Sequence, residues 1–215
     1  IRKLEDLTIH SIVKRKANHT MKPPKAQDRW NERLQPRPIN RNETEINWAA
    51  TWKLKAKYVT PRDKTQIMRL QRRNLWVAQH GGCGHTTCAC TGCNEPESQL
   101  HLTTCPVIKR DFWEKVKDYG DELGLTVENN SIFLITGQTE SGEEADKEDW
   151  ALVTIAWRSL YAETTKAHLE ETQLDLQQAV FKTARLLNSR VIAYGHTWHT
   201  WSYHQALHAQ GCNMF

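Results

Sequence analysis

Cys90–Cys105, which reads CTGCNEPESQLHLTTC, combines a C-x-x-C knuckle with an H-x-x-x-C pair, and seven residues lie between the two. A C-x-x-C turn lets two sulfurs converge on one metal ion. His101 and Cys105 are four residues apart, so on a helix their side chains share one face. Three thiolates and one imidazole suit a tetrahedral zinc ion. We therefore predict a closed structural Zn²⁺ site with the ligands Cys90, Cys93, His101 and Cys105.

Two alternatives to this ligand set stay open. The preceding sequence GCGHTTCAC offers Cys83, His85 and Cys88 as substitute ligands. The chain has 6 cysteines, an even number, so disulfides or a redox C-x-x-C are possible. No βαβ pattern surrounds the motif, as it would in a thioredoxin-like protein, and zinc is the favoured interpretation.

The motif and its surroundings resemble the zinc-binding domain downstream of the polymerase in non-LTR retrotransposon (LINE-type) reverse transcriptases. The resemblance covers about positions 48 to 115. It rests on Trp52, Leu75-Trp76, Cys90 and Cys93, Glu97-Ser98, His101-Leu102, Cys105-Pro106 and Trp113. Family members usually have four residues between the histidine and the last cysteine, whereas this chain has three.

The positive charge of the chain is concentrated in its first part. The net charge is +4, but residues 1–80 contain 19 Lys and Arg against 7 Asp and Glu, and the remainder contains 10 against 18. A basic region attracts a polyanion and an acidic region repels one. We therefore expect RNA to contact the N-terminal part. No apolar run is long enough to span a bilayer, so we expect no membrane association.

The hydrophobic pattern predicts a mainly α fold, in which a small CCHC zinc module is flanked by helices. Residues 1–44 should form a short helix and an extended basic arm, because four prolines and little apolar periodicity follow position 13. Residues 45–136 should form the zinc-binding module, residues 137–149 an acidic linker, and residues 150–215 a helical hairpin and tail. Because Ile1 is not an initiator methionine, we expect a processed or excised chain.

Within the module, the sequence predicts helices over 45–58, 60–79 and 106–123. Thr60 is the expected N-cap of the second, with Pro61 in its first turn and Gly81-Gly82 after its end. The apolar run SIFLIT, residues 131–136, should be a strand or a buried loop. The tryptophans, Trp48, Trp52 and Trp76 among them, are interpreted as core residues, with base stacking as the alternative.

No catalytic signature is present. The sequence has no Tyr/Phe-x-Asp-Asp motif of a polymerase palm, no Gly-rich phosphate loop, no nucleophile elbow and no His-Glu-x-x-His. We therefore expect a protein that is not an enzyme and has no small-molecule substrate.

These observations favour a noncatalytic RNA-binding zinc module derived from a reverse transcriptase. We expect it to be a structural component of a ribonucleoprotein, together with other protein subunits, such as an organellar ribosome in the mitochondrion. The alternatives are a template- or target-binding segment of an active, nuclear retroelement protein and a zinc-stapled protein–protein scaffold. The expected RNA-binding residues are basic: Lys14, Arg15, Lys16, Lys22, Lys25, Arg37, Arg41, Lys53, Lys57, Arg69, Arg72 and Arg73.

Overall fold

A computed structural model describes residues 24–34, 45–78 and 86–193 of the chain. The predicted helix within 1–13, the Gly81-Gly82 helix end and the tail from 194 onward lie outside the described residues. The described residues are mainly helical, as predicted, and contain two isolated β-bridges but no β-strand. No helix among them is long and apolar enough to cross a membrane.

The chain divides into two compact units, one up to Asn40 and one from Arg41 onward. The first contains α1 (Pro24–Leu34). The second contains the remaining helices, which we number in chain order: α2 (Trp48–Lys53), α3 (Pro61–Gln71), α4 (His101–Thr104), α5 (Pro106–Ile108), a π-helical turn (Lys109–Trp113), α6 (Glu114–Glu122), α7 (Ser131–Thr136), α8 (Lys147–Glu170) and α9 (Leu176–Ala193).

Helix α1 differs from the expected extended arm. Pro24 begins the helix, where its fixed φ and missing N–H cost nothing. Trp30 and Leu34 are one turn apart, and the Trp30 side chain is fully buried. Apolar periodicity this short is easily overlooked in a proline-rich basic sequence, which is why the sequence predicted no helix here.

Helices α2 and α3 are shorter than the sequence predicted. Thr60 caps α3 as expected: its hydroxyl accepts the Asp63 N–H, and the Asp63 carboxylate accepts the Thr60 N–H at 2.6 Å. The helix ends at Gln71, because Arg73 takes a left-handed conformation with φ of 57°. The chain then continues without helix, although Leu75 and Val77 are buried.

The SIFLIT segment is helix α7, so the prediction of a strand or loop was wrong. The Asn130 side chain caps it by accepting the Phe133 N–H at 2.8 Å. Gly137 ends the helix with a φ of 71°. A Cβ on Gly137 would lie 2.3 Å from a Leu54 methyl group and 3.1 Å from the Trp150 ring, so only glycine fits.

Segment 137–149 does not separate the zinc-binding region from the C-terminal helices, since both belong to the second unit. Gln138 is buried and bonds to α2. Its Oε1 accepts the Asn47 N–H at 2.9 Å, and its Nε2 donates to the Asn47 carbonyl and the Thr51 hydroxyl. The polar composition that suggested a linker therefore includes a residue that holds the second unit together.

The core of the second unit is built around tryptophans. The Trp113 and Trp157 rings meet edge to face at 5.2 Å, and both are buried. Each indole N–H donates to a backbone carbonyl, that of Trp113 to Leu102 and that of Trp157 to Leu134. These bonds satisfy the polar atom of each ring and tie α4 and α7 to the longer helices.

Helices α8 and α9 are joined by residues 171–175 and lie against each other, where Lys182 pairs with the buried Glu163. Both also reach α3 through Asp63, whose side chain is 0% exposed. Arg158 of α8 and Arg190 of α9 each donate to this carboxylate at 2.8 Å. One buried carboxylate therefore joins three helices.

We expect Asp63→Asn to lower the free energy of unfolding by about 3–5 kcal/mol, because it leaves two partly buried guanidinium groups without their anion. Urea denaturation measures the change. Glu148→Gln is the matched control. It breaks a Lys57–Glu148 pair of the same 2.7–2.8 Å length on the surface and should cost about 0–1 kcal/mol. Equal losses in the two variants would contradict the assigned role of Asp63.

The contribution of Asp63 should also depend on pH. Burial by itself raises the pKa of Asp63, but hydrogen bonds from Thr60, Arg158 and Arg190 outweigh it, so the folded pKa lies below 3.8. A depressed carboxyl pKa stabilises the fold above the unfolded value, and that stability is lost as the pH falls through the folded value. The difference in unfolding free energy between wild type and Asp63→Asn should be largest at neutral pH. It should become smaller as the pH falls below 3.8. Urea titrations in steps across that range measure it, and a constant difference would contradict the prediction.

Candidate metal centre

Four side chains of the second unit converge on one point: Cys88, Cys93, His101 and Cys105. Their ligand atoms all lie within 4.8 Å of one another. This is the one such group of cysteine, histidine or acidic side chains in the part of the chain that the structure describes. Cys88 and Cys105 are buried, and Cys93 and His101 are half-buried.

The distances within the group fit a tetrahedral metal ion. Four ligands about 2.3 Å from a central ion lie about 3.8 Å apart. The Cys93 and Cys105 sulfurs are separated by 3.8 Å, and those of Cys88 and Cys105 by 4.0 Å. The His101 Nε2 lies 3.3 Å from the Cys93 sulfur, as suits a shorter metal–nitrogen bond. The donor set is therefore compatible with a metal site of three thiolates and one imidazole.

A small hairpin carries the first two cysteines. Thr87 and Pro96 form an antiparallel bridge, and the Cys88 N–H donates to the Glu95 carbonyl at 2.9 Å. The chain reverses through Gly92, whose φ of 75° favours glycine. Cys88 and Cys93 thus lie on opposite arms of one hairpin.

The second pair of ligands comes from α4. The Ser98 hydroxyl accepts the His101 N–H at 3.0 Å and starts the helix. The Cys105 N–H donates to the His101 carbonyl at 2.7 Å, so the two residues are one turn apart, as the sequence predicted. The short H-x-x-x-C spacing therefore brings both side chains to the same point.

At one ligand the structure differs from the predicted set, because Cys88 takes the place of Cys90. Cys90 lies at the corner of the turn, where its carbonyl accepts the Cys93 N–H at 3.1 Å. Cys88 is two residues nearer the base of the hairpin, beside Cys105. Cys88 is one of the substitutes that the sequence left open. The C-x-x-C spacing favoured Cys90. The Thr91-Gly92 pair indicates a tight turn, and this turn places Cys88 opposite Cys93.

The surroundings of two cysteines of the cluster raise the pKa of their thiols. A hydrogen bond with Cys90, together with burial, raises the pKa of the Cys88 thiol to about 12. Burial raises the pKa of Cys105 to about 11. Reactive cysteines have depressed pKa values, a property that the Cys88 and Cys105 thiols do not share. All four cysteines of the described residues are free thiols.

Buried polar side chains connect the cluster to the basic helix α3. Glu97 is 0% exposed, and its carboxylate accepts the Ala78 N–H at 3.1 Å and lies 2.7 Å from the His168 Nε2. Gln99 donates to the Leu75 carbonyl at 2.6 Å. The hairpin is thereby joined to the segment that leaves α3 and to α8.

The structure describes some of the predicted RNA-binding residues. Lys53, Arg69 and Arg72 are exposed, and Arg73 is half-buried. Lys57 is engaged, since its ammonium pairs with Glu148 at 2.7 Å and lies 5.1 Å from the Tyr58 ring centroid. The structure does not describe the side chains of the remaining predicted RNA-binding residues: Lys14, Arg15, Lys16, Lys22, Lys25, Arg37 and Arg41.

We expect Cys88→Ser to lose bound Zn²⁺ and to unfold the knuckle, because a structural metal contributes its binding energy to folding. Cys90→Ser is the matched control and should retain one metal equivalent. Elemental analysis after reconstitution with Zn²⁺, together with thermal unfolding, measures both effects. Loss of metal from Cys90→Ser alone would restore the ligand set predicted from the sequence.

The comparisons with known proteins give no relative for this chain. No family model, curated protein or solved structure matches it. The likeness to the retrotransposon zinc-binding domain therefore stays a prediction from the motif residues.

Proposed function

We propose that this chain is a noncatalytic RNA-binding module in which a structural Zn²⁺ ion and the helices around it hold a basic surface against the phosphate backbone. The main support for this proposal is the exposed basic surface formed by α3 and its C-cap residue, Arg72. Arg62, Arg69 and Arg72 are exposed there, and none of them forms an ion pair within the described residues.

Two of the arginines share one side of the helix, and the third follows at its end. Arg62 and Arg69 are seven residues apart on α3, so their side chains align, and Arg72 is the C-cap residue. At 1.5 Å per residue, they span about 15 Å along the axis. One nucleic-acid strand of that length carries roughly four phosphates. The spacing therefore suits several contacts to one backbone.

The opposite face of α3 is fixed. Ile67 and Leu70 are buried, and Gln71 donates to the Ile135 carbonyl at 3.3 Å. Asp63 binds Arg158 of α8 and Arg190 of α9. A basic helix held this firmly loses little freedom when it binds, which favours affinity.

The assignment of Zn²⁺ supports a structural role. Four protein ligands fill a tetrahedral site and leave no position for a water or a substrate. The ion would hold Cys88, Cys93, His101 and Cys105 in place and supply no reaction step. Contacts to phosphate would come from side chains on the outside of the module.

The biological setting that we propose is a ribonucleoprotein, with an organellar ribosome in the mitochondrion as the specific case. The resemblance of the motif residues to a reverse-transcriptase zinc-binding domain supports a setting in which the chain contacts nucleic acid. A nuclear retroelement protein would use the same surface on template RNA or target DNA.

We expect Arg62→Glu/Arg69→Glu/Arg72→Glu to weaken RNA binding at least tenfold and to reduce the salt dependence of the affinity, by about one unit of slope per lost phosphate contact. Fluorescence anisotropy with labelled RNA over a series of salt concentrations measures both quantities.

The matched control is Lys109→Glu/Lys147→Glu/Arg185→Glu, which makes the same charge change at exposed positions outside the basic N-terminal part. It should bind more tightly than the α3 variant. Equal losses would indicate a nonspecific charge effect, and failure of the wild type to bind RNA would favour the protein scaffold.

A further inference from the structure

Among the tryptophans of the described residues, Trp52 is the most exposed. Its exposed fraction is 43%, whereas Trp30, Trp48, Trp113, Trp150 and Trp157 are buried and Trp76 is half-buried within the described residues. An indole left this accessible forgoes much of the large hydrophobic gain that burial brings. The inward face of α2 is already formed by Trp48, Ala50 and Thr51.

The ring is supported from one side. Trp48 and Trp52 are one turn apart on α2, and their ring centroids are 6.4 Å apart at an interplanar angle of 49°. The helix itself is anchored at both ends of its first turn. The Asn47 side chain accepts the Ala50 N–H at 3.0 Å, and Gln138 bonds to Asn47 and Thr51. Trp52 is therefore an aromatic surface on a fixed element.

Two lysines that form no ion pair within the described residues follow Trp52 in the sequence. Lys53 and Lys55 are exposed and form no ion pair within the described residues, whereas Lys57 is paired with Glu148. The sequence from 52 to 57 contains no acidic residue. An accessible aromatic ring flanked by free ammonium groups is the combination that binds single-stranded nucleic acid, since the ring stacks on a base and the cations meet the phosphates.

We propose that Trp52 is a stacking site for an unpaired base of single-stranded RNA, with Lys53 and Lys55 contacting the adjoining phosphates. This rests on the proposed RNA-binding function and narrows its substrate to RNA that has unpaired bases. A base inside a duplex is stacked on its neighbours and does not offer its face to Trp52.

The test compares Trp52→Ala with wild type on a single-stranded RNA and on a duplex of the same length. Losing one stacked base should weaken single-strand binding about 5- to 150-fold, the equivalent of about 1–3 kcal/mol. Duplex affinity should change less than about twofold, and the salt dependence on the single strand should be unchanged because no phosphate contact is removed.

Two further variants separate stacking from other causes. Trp52→Phe keeps an aromatic face and should bind the single strand within about threefold of wild type. Met68→Ala removes the other half-exposed apolar side chain of the basic region, 44% exposed on α3, and should have no effect. A loss in Met68→Ala equal to that in Trp52→Ala, or the same loss on duplex and single strand, overturns the stacking site.

The failure of this inference is distinguishable from that of the proposed function. If wild type binds RNA and the α3 arginine variant loses that binding while Trp52→Ala keeps it, stacking alone is wrong. If wild type binds neither RNA, both the function and the stacking site are wrong.

Discussion

The buried carboxylate of Asp63 is the interaction on which the arrangement of the basic helix depends. It closes the first turn of α3 through Thr60 and accepts hydrogen bonds from Arg158 and Arg190. A buried charge is tolerated only when its lone pairs are satisfied, and this one has partners from three helices. The same residue therefore caps α3 and orients it against α8 and α9, so that its arginines remain on the outer side.

The hairpin that carries Cys88 and Cys93 is joined to the end of α3 by a second set of contacts. Glu97 and Gln99 follow the hairpin and bond to the backbone at Ala78 and Leu75, just after α3 ends. These backbone groups belong to a segment without helix, which needs partners from elsewhere. An ion that holds the hairpin would therefore also order the exit of the basic helix. Under the proposed function, the ion would thereby support RNA binding without contacting the RNA.

Sequence reasoning succeeded where short-range chemistry decides the structure. The Thr60 cap, Pro61 in the first turn and the alignment of His101 with Cys105 depend on residues within four positions of one another. It failed where distant contacts decide. Residues 131–136 are apolar on all sides because α3, α4 and α8 surround them, and no period distinguishes such a helix from a buried strand. The choice between Cys88 and Cys90 likewise depends on which sulfur the folded hairpin brings to Cys105.

The exposure of Trp52 belongs to the same class of property, since nothing in WAATWK indicates which tryptophan is covered. Gln71 of α3 bonds to the Ile135 carbonyl of α7, and Gln138, just after α7, bonds to α2. Between them, Gly137 lets the chain turn against Leu54 and Trp150 without a clash. Ile135 of α7 and Gln138 just after it therefore contact both α3 and the start of α2. The relative position of α3 and α2 is thus set by the core. Under the proposed function, RNA contacts made by residues held in this way would add to affinity at little entropic cost.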